Sequence, residues 1–158
     1  MIAGDESFAG YWRRPDADAT ALRGGWCFTG DTGLIDSEGD LFVTGRVDDM
    51  IITGGENVSP VEIESCLSLH PAVSEVAVAG LPHERWGKIV CAFIHRRGAV
   101  TEQELDAFCR SSGLANFKRP QRYVFVAEIP KSPVGKLLRR KLVSGEYRTE
   151  PDLTINNH

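Results

Sequence analysis

The chain has 158 residues, 42% of them hydrophobic and 25% charged, with a formal net charge of −4. A chain near 150 residues buries a real core, roughly 70% of its unfolded surface, and this acidic balance excludes a general nucleic-acid binder. No amino-terminal apolar leader and no long apolar run occurs, so neither secretion nor a membrane span is expected and a cytoplasmic protein is. The four cysteines (Cys27, Cys66, Cys91, Cys109) form no C-x-x-C pair. Free thiols in apolar patterns are expected at the last three, and no metal site.

Residues 1 to about 24 are polar and weakly patterned, with a helical turn or two expected over 16–22. Short strands follow over 26–29, 33–35 and 41–44. The Asp36-Ser37-Glu38-Gly39-Asp40 cluster makes the last two a hairpin. A break at Asp48-Asp49 opens a second unit. It begins with a short strand over 50–52 and a helix over 59–70, started by an S-x-x-E capping box (Ser59, Glu62) with Pro60 at the first helical position and stopped by Pro71. Apolar strands are expected over 73–79, 88–95 and 123–127. A helix over 101–112 carries a Thr101–Glu104 capping box, a Leu105/Phe108/Cys109 stripe and Gly113 past its end. A short helix over 137–143 closes the unit, and residues 148–158 read as a flexible tail. Helices and strands mix as in a small α+β or α/β sandwich.

The most informative stretch is GRVDDMIITGGENVSPVEIE, residues 45–64. Arg46 supplies a planar, permanently charged fork for oxygen-rich groups. Gly54 and Gly55 lack a Cβ and allow close approach of backbone to a ligand. Two further segments stand out: GWCFTGD at 25–31 and PKSPVGKLLRR at 130–140. In the latter, Lys136 sits on a Pro- and Gly-shaped loop before a helix. An ammonium there can meet a carboxylate or phosphate as a point charge. Taken singly, a Gly pair is usually a turn and an Arg-Asp cluster a solvated surface.

Together and in this order, the three segments resemble the junction, Y-x-T-G-D and carboxy-terminal lysine motifs of adenylate-forming enzymes, over roughly residues 7–147. The stretch FCRSSGLANFKRPQRY, 108–123, resembles that of 4-chlorobenzoate–CoA ligase-like aryl-CoA ligases. The resemblance implies an α+β fold, the family's small carboxy-terminal domain with a three-stranded sheet flanked by helices, over 48–147. Residues 1–47 would be the last, orphan strands of a large adenylation domain. It also implies site roles. Lys136 would bridge the substrate carboxylate and the ATP-derived phosphate. Asp31 would accept the ribose hydroxyls, Arg46 would contact ribose or phosphate, and Asp48 would be the hinge. Gly54 and Gly55 would line the pantetheine tunnel, with Trp86, Phe117 and Arg119 holding the CoA nucleotide. Gln121 departs from that ligase, which has Lys there, so the resemblance implies one phosphate contact fewer. ATP and CoA are the implied substrates, with Mg2+ accompanying ATP.

No T-S-G-T-T-G-like phosphate loop and no G-x-x-x-x-G-K occurs in the chain. The ATP and acyl pockets are therefore expected in an amino-terminal adenylation domain, in cis or in trans, and the chain alone is expected to be inactive. Alternatives are a non-catalytic binding or assembly module, a split-enzyme subunit, or a peptide-synthetase-type adenylation fragment that delivers to a carrier thiol. The orphan strands could also pair with a second copy, since unpaired edges template further pairing.

Overall fold

The computed structural model describes residues 1–4 and 7–150. It divides into two compact units, Met1–Asp48 and Asp49–His158. Most of the tail assigned to 148–158 lies outside the described residues.

The first unit is built from local pieces. Helix α1 (Pro15–Ala21) starts on a proline at its first turn and has acidic residues Asp16 and Asp18 there, where the helix dipole favours them. Strands β1 (Leu22–Arg23) and β2 (Trp26–Cys27) form one two-stranded sheet. Strands β3 (Asp31–Ile35) and β4 (Leu41–Arg46) form a second, antiparallel, with a bulge between Thr32 and Gly33. The turn between them is tied by Asp36, whose carboxylate accepts from the Glu38 and Asp40 amides at 2.9 Å each, as an Asp at a turn corner does. This hairpin keeps Leu34, Ile35, Leu41, Phe42 and Val43 more than half exposed.

The second unit carries the core. Strands β5 (Ile51–Thr53) and β6 (Glu56–Val58) make a hairpin. Helix α2 (Pro60–Ser68) leads to two long antiparallel strands, β7 (Val73–His83) and β8 (Gly87–Arg96). Helix α3 (Glu102–Ser111), a 3-10 turn (Asn116–Lys118), β9 (Arg122–Phe125) and α4 (Arg139–Val143) complete it. β7 lies along one edge of β8. β5 joins β8 only at Thr53–Gly87, and β9 runs parallel to Cys91–Ile94. The expected three strands are thus present, and the β5–β6 hairpin widens the sheet to five.

Both sheet faces are covered, which explains the unbroken apolar run of β8. Val90, Ala92 and Ile94 point to the layer of α2 and α3, with Ile63, Leu67, Leu105 and Cys109. Cys91 and Phe93 point the other way, to Val124, Val126 and Leu142 of α4. Cys91 and Cys109 are buried free thiols, while Cys66 is only half-buried. Burial pushes the Cys91 thiol up to about 12 and the Cys109 thiol up to about 11.

Two expectations need correction. The Thr101–Glu104 capping box closes reciprocally, and its hydrogen bonds hold the Glu104 carboxyl below the usual range. The Ser59–Glu62 box does not close, because Glu62 turns instead to Lys118, 2.8 Å away. The start of the supposed flexible tail is also docked. Thr149 bridges to Val126, Glu150 bonds Arg96, and Arg148 accepts from the Ala127 amide at 2.9 Å. Among the described residues no helix is long and apolar enough to cross a membrane.

Candidate functional site

In the first unit, antiparallel register sets Asp31 opposite Arg46, and their side chains pair at 3.3 Å. Gly30 has φ +75°, and a Cβ there would come within 3.0 Å of the Arg46 guanidinium. The glycine therefore lets Arg46 lie across the strand start. Val47 extends the ladder one pair beyond Asp31–Arg46 by donating to the Gly30 carbonyl at 2.8 Å. Both members of the pair are partly exposed. With Tyr11, Arg14, Asp16 and Asp48 they line an open cleft of about 680 Å³. An acceptor and a planar donor side by side at a cleft wall can bind a polyhydroxyl or phosphate group. Asp48 is exposed in the turn that ends this unit.

In the second unit, Gly54 and Gly55 are the two central residues of the β5–β6 turn, at φ +57° and +89°. A two-residue loop with both φ positive is the type I′ turn, and its twist matches the flanking strands. Trp86 packs on this turn. Its carbonyl accepts from the Gly54 amide at 3.1 Å, and a Cβ on Gly54 would meet its ring at 3.0 Å. Trp86 is still 45% exposed, with the Arg85 guanidinium 4.7 Å from its ring centroid. The pair of glycines and the tryptophan, read separately in the sequence, thus form one surface.

Phe117 is exposed on the 3-10 turn, as its position outside any periodic element implied. Arg119 is not a free cation. It pairs with Asp106 at 2.8 Å and with the Asn116 side chain. Gln121 accepts from the buried Val90 amide at 2.7 Å and donates its own amide to the Val90 carbonyl at 2.9 Å. Its side chain fastens β9 to β8, a bond that a lysine could not make because ammonium has no acceptor.

Lys136 lies at the tip of a tight loop. Ser132 donates its amide to the Lys136 carbonyl at 2.7 Å, and the Lys136 amide donates to Ser132 Oγ at 3.1 Å. Gly135, at φ +79°, makes the bend. The stem is closed by the Lys131–Leu137 bridge, and Leu138 donates to the Pro130 carbonyl at 2.9 Å. The Lys136 side chain is exposed and has no ion-pair partner among the described residues, so its ammonium is available to a ligand.

One group was missed in the sequence. Arg139, three residues after Lys136, is largely buried and bonds Val78, Asp49 and Glu64. Its partners lie 61 to 90 residues away, so no local periodicity signals the contact. Among the described residues no group of three or more His, Cys, Asp or Glu could hold a metal ion.

A mixed sheet covered on both faces by short helices, followed by an exposed lysine loop, is the small domain of adenylate-forming enzymes. Residues 62–136 match the family described as AMP-binding enzyme C-terminal domain, and this part of the chain belongs to that family. It is 48% identical over 144 residues to a 2-succinylbenzoate–CoA ligase of Geobacillus kaustophilus (strain HTA426), a match covering 90% of this chain and 29% of that protein. It is 47% identical over 138 residues to a 4-chlorobenzoate–CoA ligase of an Arthrobacter species, covering 87% of this chain and 26% of that one. The solved o-succinylbenzoate CoA synthetase of Bacillus subtilis, in complex with its acyl-adenylate intermediate, superposes with a TM-score of 0.84 at 38% identity, covering 89% of this chain and 29% of that one. The chain therefore spans less than a third of the length of these relatives.

Proposed function

We propose that this chain is the mobile lid portion of an ATP-dependent acyl- or aryl-CoA ligase, supplying the adenylation lysine and a CoA-binding surface. The observation that carries this reading is the exposed, unpaired Lys136 ammonium on a loop closed at both its tip and its stem. In the first half-reaction a substrate carboxylate oxygen attacks the α-phosphorus of ATP and pyrophosphate leaves. Lys136 stabilises the charge that gathers on the transferring group. Asp31 takes the ribose hydroxyls and Arg46 contacts ribose or phosphate. The second unit then turns about Asp48, a polar position that tolerates a large dihedral change. The CoA thiol attacks the acyl carbon and AMP leaves.

Gly54, Gly55 and Trp86 form the surface along which CoA enters, with Phe117 beside its nucleotide. Arg119, already held by Asp106, contributes a positioned rather than a free charge. The large adenylation portion, in cis or in trans, supplies the ATP and acyl pockets. Magnesium accompanying ATP has no ligands assigned in this chain. Residues 1–47 belong to that portion's last strands, and the chain by itself is inactive. The exposed apolar face of the β3–β4 hairpin supports a partner surface. It is covered by the adenylation portion or, in its absence, by a second copy. A concentration-independent monomer in sedimentation would rule out the second copy.

CoA titrated calorimetrically into the chain tests the CoA surface. Saturable binding, weakened about tenfold or more in Trp86→Ala and Phe117→Ala, is expected from the loss of one stacking contact. Binding that survives both substitutions would overturn the assignment.

A further inference from the structure

We infer that Arg139 is the positioning residue for Lys136. It fastens the lysine loop to Asp49, the first residue after the junction, so that the two move as one body. This rests on the reading of Lys136 as the adenylation lysine.

The tip of the loop cannot hold itself against the rest of the unit. Val134 is 89% exposed, and the Lys136 side chain has no partner among the described residues. The stem must therefore set where the ammonium stands. On its upstream side Lys131 pairs with Glu75 of β7. On its downstream side the first residue of α4 is Arg139, and its guanidinium is used in every direction. Nε donates to the Val78 carbonyl of β7 at 3.1 Å. Nη1 donates to Asp49 at 2.7 Å, and Nη2 to both oxygens of Glu64 on α2 at 2.7 and 2.8 Å. Glu64 in turn accepts from the Val78 amide at 2.8 Å.

The arrangement is specific to arginine. Three acceptors from three chain segments converge on one guanidinium fork, and the point charge of lysine cannot span them. The side chains of Arg139 and Glu64 are 19% and 17% exposed, and that of Asp49 is 30% exposed. These charge-assisted bonds are thus poorly screened. The network holds two carboxylates on neighbouring guanidinium nitrogens. Without Arg139 they repel, and Asp49 separates from the α4 start that carries the lysine loop. Any turn of the chain at Asp48 that carries Asp49 carries Lys136 with it, and Arg139 is the side chain that ties Asp49 directly to the start of α4.

Backbone amide exchange on the full chain tests the coupling, with Asp49→Ala made in the wild type and in Arg139→Lys. Asp49→Ala is expected to speed exchange at the Ser132, Lys136 and Leu138 amides about tenfold while the β7–β8 ladder stays protected, as loss of one charge-assisted bond opens a local segment. In Arg139→Lys the same amides are already fast, and Asp49→Ala adds nothing further. Loop amides that keep their wild-type rates in Asp49→Ala would overturn the proposal. So would loosening spread evenly over β7 and β8, or an Asp49→Ala effect that persists undiminished in Arg139→Lys. If Arg139→Lys does not fold, the single Asp49→Ala comparison decides. None of these readouts needs Lys136 to be catalytic; failure of that reading would appear separately, as Lys136→Ala with unchanged adenylation.

Discussion

At the residue scale, the glycine pair that makes the β5–β6 turn is also the one placed in the proposed CoA surface. Gly54 stands at φ +57° with the Trp86 ring over it, so Gly54→Ala meets both left-handed strain and a ring that must shift. A destabilisation of about 1–2 kcal/mol is expected from the backbone conformation alone, read as a lower urea midpoint. Phe117→Ala, on an exposed ring, should leave that midpoint nearly unchanged. In the sequence the glycine pair reads as a place for backbone to approach a ligand and not as a hairpin turn, because Glu56-Asn57-Val58 is too polar to read as a strand. The signal was there nonetheless, since two glycines between Ile51-Ile52-Thr53 and a following strand are a hairpin signature. Arg139 was illegible for a different reason. Beside Arg140 and Lys141 it looks like one more solvated cation, and only the fold brings Asp49 and Glu64 to it.

At the element scale, the periodic helices and the apolar strands were read correctly because burial on one or two faces imposes a pattern on the sequence. The parallel pairing of β9 with β8 leaves no such mark, since register depends on what lies beside the strand. Gln121 is the residue that fixes it. Gln121→Lys restores the residue of the resembled ligase but removes the acceptor of the Val90 amide. An unsatisfied buried donor costs roughly 1–3 kcal/mol. The substitution is therefore expected to lower the denaturant midpoint while strengthening any contact with a CoA phosphate. An unchanged midpoint would show that Gln121 does not hold the strand start.

Sheet burial also fixes a pH dependence. The Cys91 thiol, between β7, β9 and the α4 layer, has its pKa raised from 9.0 to about 12 by burial. A raised folded-state value favours the protonated thiol in the fold. Its contribution is complete below pH 9 and is lost as pH rises through the interval up to about 12. Unfolding midpoints of the wild type should fall across that interval more steeply than those of Cys91→Ala. Equal slopes would contradict this. At neutral pH, thiol reagents should label the half-buried Cys27 and Cys66 before Cys91 and Cys109.

At the scale of the whole molecule, the proposed function divides one chemistry between the two units. The first presents Asp31 and Arg46 at a cleft wall, and the second presents Lys136 and the Gly54–Trp86 surface. The division at Asp48 was legible because a polar break separates two patterned stretches. The identity of the acyl group was not, because no residue of this chain is assigned to its pocket. The β3–β4 hairpin exposes Leu34, Ile35, Leu41, Phe42 and Val43, and the relatives are more than three times as long as the span they share with this chain. The central claim is that Lys136 acts in adenylation while the second unit's other surface acts in transfer to CoA.

The most direct measurement joins this chain to the adenylation portion of a related CoA ligase and follows pyrophosphate release and CoA transfer separately. Lys136→Ala should slow pyrophosphate release about 100- to 1,000-fold, as loss of one charge-stabilising group does, yet still transfer a preformed adenylate to CoA. Its unfolding midpoint should not move, because the side chain is exposed. Equal pyrophosphate release with and without Lys136, or an equal loss in both half-reactions, would contradict the account.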